Sequence, residues 1–220
     1  MVGDRLPATI LCQQLISNLS APLAEALKLP EGHRAVGILT CDSDDLLYLA
    51  VDEATKAANV AVAYARSLYA GAANATTALA GEAICVLSGR TPAEVVSGLS
   101  AARRFLEGGA AFVSASEKDD VVYLAHCVSS AGTYLALEAG VEVGEALAYL
   151  IAPPAEALVG LDAAMKASDV ELCKYFAPPT ETNFSGGLLR GTQSACQAAC
   201  DAFAEAVLAV AAHPKETGGM

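Results

Sequence analysis

The chain has 220 residues, 54% apolar and 17% charged, with a mean hydropathy of +0.42, which excludes a disordered chain and leaves room for two domains. Its formal charge of −12 comes without any run of Lys and Arg, so nucleic acid and anionic membrane are excluded as natural partners. No uninterrupted apolar stretch reaches the roughly 18 residues of a membrane span, and MVGDRLPATI lacks the charge and apolar run of a secretory signal, so a cytoplasmic location is expected.

In chain order, TILCQQLIS (9–17) and AVGILTC (35–41) are short apolar runs. SDDLLYLAVDEATKAA then carries apolar residues at helical spacing behind Ser43 or Asp44 as N-cap. VAVAYARSLY (60–69) alternates like a half-buried strand, and GEAICVLSG (81–89) is another strand ended by glycine. TPAEVVSGLSAARRFLEGG opens a helix with Thr91 as N-cap, Pro92 at N1 and Glu94 at N3, and closes it on Gly108 and Gly109. The second half repeats this plan with DVVYLAHCVS (120–129), EALAYLI (145–151), APPAEALVGLDAAMKA, VELCKYFA, GGLLRG and TQSACQAACDAFAEAVLAVAA. The clearest internal match sets VDEATKAANV (51–60) against LDAAMKASDV (161–170), pairing Asp52 with Asp162 and Lys56 with Lys166. The reading is therefore α+β, with a first domain over 1–110 and a second over 111–220.

Asp42, Ser43, Asp44 and Asp45 form the densest acidic site, at a strand-to-helix junction. Such carboxylates serve as caps and dipole partners, or alternatively bind a cation, since an ammonium donates three hydrogen bonds that paired carboxylates can accept. Glu82, where a loop becomes a strand, can add another carboxylate. The seven cysteines lack disulfide-framework spacing and are expected as reduced thiols, with Cys196 and Cys200 packing on one helical face. No Walker loop, nucleophile elbow, dinucleotide fingerprint or metal-ligand spacing is present, and no enzyme activity or metal site is expected.

Several stretches resemble the EutL group of tandem-domain bacterial microcompartment shell proteins of ethanolamine utilisation: TCDSDDLLYLAVDEATKAA, YARSLYAGAANATT, AHCVSSAGTYL, AYLIAPPAEA and, most specifically, APPTETNFSGGLLRGTQSACQAACDAFAEAV. The likeness runs from about residue 10 to 212. It implies two circularly permuted shell domains in tandem, the segments at 9–17 and 120–129 being the relocated strands, and a trimer that forms a pseudohexamer and tiles with other microcompartment shell proteins. It also implies a gated central pore that passes metabolites or cofactors such as cobalamin, with no cofactor required. Ethanolamine would bind Asp44, Asp45, Glu82 and the backbone around Phe112, joined by Thr182 and Asn183, and would accompany the closed state. The loops at 69–81 and 176–187 would line the pore, with Tyr69, Gly71, Asn74, Thr76 and Thr77 in the first, and Pro178, Pro179, Thr180, Glu181, Phe184 and Ser185 in the second. The alternatives are a soluble small-amine sensor that does not tile and, more remotely, an enzyme with an unfamiliar site.

Overall fold

The structure is a computed structural model that describes residues 1–68, 79, 81–178, 180 and 182–215. The elements of the first half are β1 (Arg5–Leu6), β2 (Ile10–Ile16), α1 (Ala21–Ala26), β3 (Ala35–Cys41), α2 (Asp44–Ala57), β4 (Ala61–Ser67), β5 (Ala83–Gly89) and α3 (Pro92–Gly108). Those of the second are β6 (Phe112–Ser114), β7 (Val122–Val128), α4 (Thr133–Ala139), β8 (Ala146–Ala152), α5 (Pro154–Ala167), β9 (Val170–Phe176), β10 (Ser185–Gly191) and α6 (Gln193–Ala212).

The chain divides into two compact units. Unit 1 holds Met1–Leu6, Phe112–Ala131 and the chain from Ala139, and unit 2 holds Pro7–Ala111 with Gly132–Glu138. The sheet of unit 2 has the order β2-β3-β5-β4, and the sheet of unit 1 contains the same pattern as β7-β8-β10-β9, extended by β6 and β1. All of these pairings are antiparallel. The doubled sequence is thus a doubled α+β topology.

The central strands β3 and β8 are the continuous apolar runs, because a strand flanked on both sides and covered by helices keeps little polar alternation. Every residue of β8 is buried, and all of β3 but Ile38. α2 buries Leu46, Leu47, Leu49, Ala50, Val51 and Ala54 in unit 2, while α3 adds Val95, Leu99 and Leu106. A fully buried aliphatic side chain of this size contributes about 1.5–3 kcal/mol, so these rows supply most of the unit's cohesion. The start of α3 shows the expected capping box: Glu94 N donates to Thr91 Oγ1 at 3.3 Å and Thr91 N to Glu94 Oε2 at 2.9 Å. At α2 the N-cap is Ser43, but its hydroxyl makes no capping bond and the acidic first turn faces the helix dipole instead.

In unit 1, α6 is long and apolar enough, by length and composition, to cross a bilayer. Its Cys196, Ala199, Cys200, Phe203 and Val207 recur at helical spacing and form a buried face in the core with Leu150, Ala157 and Leu161. The seven cysteines are free thiols, and Cys196 and Cys200 share that face as packing residues.

Candidate functional site

β3 ends at Cys41, and Asp42 to Asp45 turn the chain into α2. β5 runs antiparallel to β3 with Ala83 opposite Cys41, which carries Glu82 to the same end of the sheet. Glu82 N donates to Cys41 O at 2.8 Å, while Asp42 Oδ1 accepts from Thr9 N at 2.6 Å and Asp44 Oδ1 from Asp45 N at 2.9 Å. Asp44 and Asp45 are 9% and 7% exposed, deep for carboxylates. The approach of Glu82 depends on Gly81, whose φ is +64° and where a Cβ would collide with Cys41 O.

The electrostatics match this crowding. Burial pushes the Glu82 carboxyl above its ordinary value, and the charges of Asp44 and Asp42 push it further. Burial also raises the Cys41 thiol to about 12, with Asp42, Asp44 and Glu82 adding to the rise and a bond to Ser43 O opposing it. Unit 2 therefore gathers carboxylates that disfavour one another's charge, an arrangement that a small cation would relieve.

Because the folded pKa of Glu82 is raised, its contribution to stability is full below the unfolded value, about 4.3, and is lost as pH rises through the folded value. Glu82→Gln keeps the neutral form at every pH. The variant is expected to melt higher than the parent at neutral pH and to match it near pH 4 (about the unfolded pKa). A thermal-melt series across that range checks this; a gain that persists unchanged at low pH contradicts it.

Unit 1 holds the other expected residues. Phe112 begins β6 and packs against Phe184, ring centroids 5.6 Å apart. Thr180 Oγ1 donates to Phe184 O at 2.8 Å, and Asn183 N to Thr180 O at 3.1 Å, with Asn183 at a φ of +63°. Asparagine tolerates that left-handed conformation better than most residues do. These bonds shape a tight turn that presents Asn183 to solvent beside half-buried Thr182. Pro178 is exposed. Ser185 departs from its expected place in a channel-lining loop: it is the first residue of β10, 0% exposed, and its hydroxyl donates to Phe176 O at 2.8 Å. The β8–β10 ladder, from Ser185 opposite Ala152, draws it into the sheet. Tyr69, Gly71, Asn74, Thr76, Thr77, Pro179 and Glu181 lie outside the described residues.

Asp52 is a feature that sequence reasoning registered only as a repeat match. It is 0% exposed, and it accepts from Gly132 N at 2.8 Å and Leu135 N at 2.9 Å. Burial raises its pKa, while these two bonds and the nearby Lys56 ammonium pull it back. A carboxylate set among Leu49, Val51 and Ala54 was the available signal. Among the described residues, no group of three or more His, Cys, Asp or Glu side chains is placed to hold a metal ion.

The two α+β units share one strand order, and residues 35–117 match the BMC domain family, which together with the relatives below places the chain among the tandem-domain shell proteins of bacterial microcompartments. The bacterial microcompartment shell protein EutL of Clostridium perfringens is 58% identical over 97% of this chain and 99% of its own length. EutL of Escherichia coli K12 is 48% identical, with 96% of each chain covered. The crystal structure of the ethanolamine utilization protein EutL from Leptotrichia buccalis superposes with a TM-score of 0.96 at 59% identity, covering 98% of this chain and 100% of that one. The chain belongs to the EutL family of bacterial microcompartment shell proteins.

Proposed function

We propose that the chain is a non-catalytic facet tile of an ethanolamine-utilisation microcompartment in the bacterial cytoplasm. Three copies form a pseudohexamer that joins other shell proteins, with a gated central pore through which metabolites or a cofactor such as cobalamin pass. Protonated ethanolamine binds at Asp44, Asp45 and Glu82 of unit 2 and favours the closed pore. The observation that supports the ligand is the crowded acidic turn, in which Glu82 is held above its ordinary pKa by burial and by Asp44 and Asp42. An ammonium would supply charge-assisted hydrogen bonds to these carboxylates and remove their mutual repulsion. So few ligand atoms limit the affinity to the micromolar to millimolar range.

Titration calorimetry with ethanolamine, using ethylene glycol as the neutral control, tests the ligand, and negative-stain microscopy of concentrated protein tests tiling. Binding of the amine alone is expected, with Asp45→Asn weakening it about tenfold or more. Binding should also fade as pH falls through the raised Glu82 value, because a protonated carboxyl no longer attracts the cation. Sheets without amine binding would keep the tile and remove the ligand, and binding by an oligomer that never tiles would favour a sensor.

A further inference from the structure

β3 reads AVGILTC, and Thr40 carries its only hydroxyl. Alternate residues of a strand share a face, so Thr40 stands in the row of Val36 and Ile38. Val36 is buried there with Leu19 and Val86, and Ile38 packs against them. Thr40 itself is 7% exposed. The ladder does not need its hydroxyl, because Thr40 is paired with Cys12 of β2 and Ile84 of β5 through the backbone. Valine, branched alike and with no polar atom to bury, would suit this row better.

The hydroxyl is used outside the ladder. Thr40 Oγ1 donates to Leu79 O at 2.7 Å, which fastens the incoming chain to β3 shortly before Glu82. From Leu79 the chain passes through Gly81, at a φ of +64°, and enters β5. Glu82 N then donates to Cys41 O at 2.8 Å, and Glu82 O accepts from Leu68 N at 2.7 Å. These two bonds hold Glu82 at the end of the sheet, whereas the bond from Thr40 holds the upstream side of the turn. The difference matters because glycine takes positive and negative φ with similar ease, so Gly81 permits the turn without fastening it. With Leu79 loose, only the bond from Glu82 N to Cys41 O opposes rotation of the 81–82 peptide, and the repulsion of Asp44 and Asp42 drives the Glu82 carboxylate toward water.

We infer that Thr40 is a positioning residue of the acidic site: by holding Leu79 O it keeps the Gly81 turn closed and the Glu82 carboxylate beside Asp44 and Asp42. This inference rests on the ethanolamine reading of the site and adds to it a residue that acts through Glu82 without touching the ligand. Glu82 faces Asp44 at the start of α2, Asp42 in the turn and the Cys41 thiol at the end of β3. Its titration therefore reports how near it lies to them and how well it is shielded from water.

Thr40→Val and Thr40→Ser test the inference, with ethanolamine calorimetry across a pH series and an NMR titration of the Glu82 carboxyl, both at a temperature where circular dichroism shows each variant folded. Thr40→Val is expected to bind ethanolamine about five- to tenfold more weakly, the equivalent of one lost hydrogen bond. Its Glu82 should titrate closer to the ordinary carboxylate value, and Thr40→Ser should keep both properties near the parent's. A hydroxyl that merely stabilised the fold would change the melting temperature and leave the Glu82 titration where it was. An unchanged Glu82 titration in Thr40→Val overturns the positioning role, as does a Thr40→Ser variant that behaves like Thr40→Val. A parent chain that binds no ethanolamine overturns the ligand reading instead, and the Glu82 titration still decides the role of Thr40.

Discussion

Asp52→Ala is expected to lower the unfolding free energy by about 2–4 kcal/mol, because it strands two buried N–H donors at once. The Asp52 carboxylate accepts from Gly132 N and Leu135 N with no access to water, so no solvent molecule takes its place when it is removed. Desolvation of the carboxylate works in the other direction, as its raised pKa shows, and keeps the net loss below the sum of two ideal charged bonds. Asp52→Asn retains one acceptor and is expected to lose about half as much. Urea unfolding measures the loss, and hydrogen exchange at the Gly132 and Leu135 amides locates it: both should exchange faster in Asp52→Ala while the β3 and β5 amides keep their order of protection. Asp162→Ala makes the contrasting case. Its ion pair with Lys166 is exposed and one helical turn apart, a contact worth a few tenths of a kcal/mol, so the isolated chain should scarcely notice the change. Equal losses at the two positions would contradict the different burial of this repeated pair.

The contrast also shows where sequence reading stops. Asp52 and Asp162 occupy the same place in a repeated helix and both sit among apolar neighbours, so that signal is shared and does not say that one is sealed beneath Gly132–Glu138 while the other meets solvent. That outcome depends on the docking of another segment, which is tertiary information. Features built from local contacts were legible: Thr91, Pro92 and Glu94 announce the start of α3 within four residues, and the short apolar runs at 35–41 and 145–151 mark the strands β3 and β8, though not their central place in the sheets. Elements too short to show a period were missed, among them β1, β6, α1 and α4. The acidic turn at Asp42 to Asp45 could be read directly, but the convergence of Glu82 on it comes from the register of β3 with β5, pairing residues some forty positions apart. Thr182 and Asn183 entered through family resemblance alone, and their turn is held by Thr180 and Phe184 through bonds that composition does not reveal.

The same register makes Gly81 the residue on which the acidic site turns. Gly81→Ala is expected to destabilise unit 2 by about 2–4 kcal/mol and to weaken ethanolamine binding by at least about tenfold. A left-handed φ of +64° already costs a residue with a Cβ roughly 1–2 kcal/mol. The added methyl would also collide with Cys41 O and stand 2.6 Å from Leu11 Cδ1. Leucine can rotate away, whereas the carbonyl is fixed in the β3 ladder and accepts the Glu82 N–H at 2.8 Å. Relief must therefore come from the 81–82 backbone, which moves Glu82 away from Asp44 and Asp42. The two effects separate under measurement. Thermal melts report the strain, and calorimetry well below the melting temperature reports the binding of the folded protein. As Glu82 leaves the other carboxylates, its elevated pKa should relax toward the ordinary carboxylate value, so the pH range over which Glu82→Gln stabilises the protein shrinks in the Gly81→Ala background. If Gly81→Ala binds ethanolamine as tightly as the parent while melting lower, Glu82 is not a ligand contact, and the cation site reduces to Asp44 and Asp45.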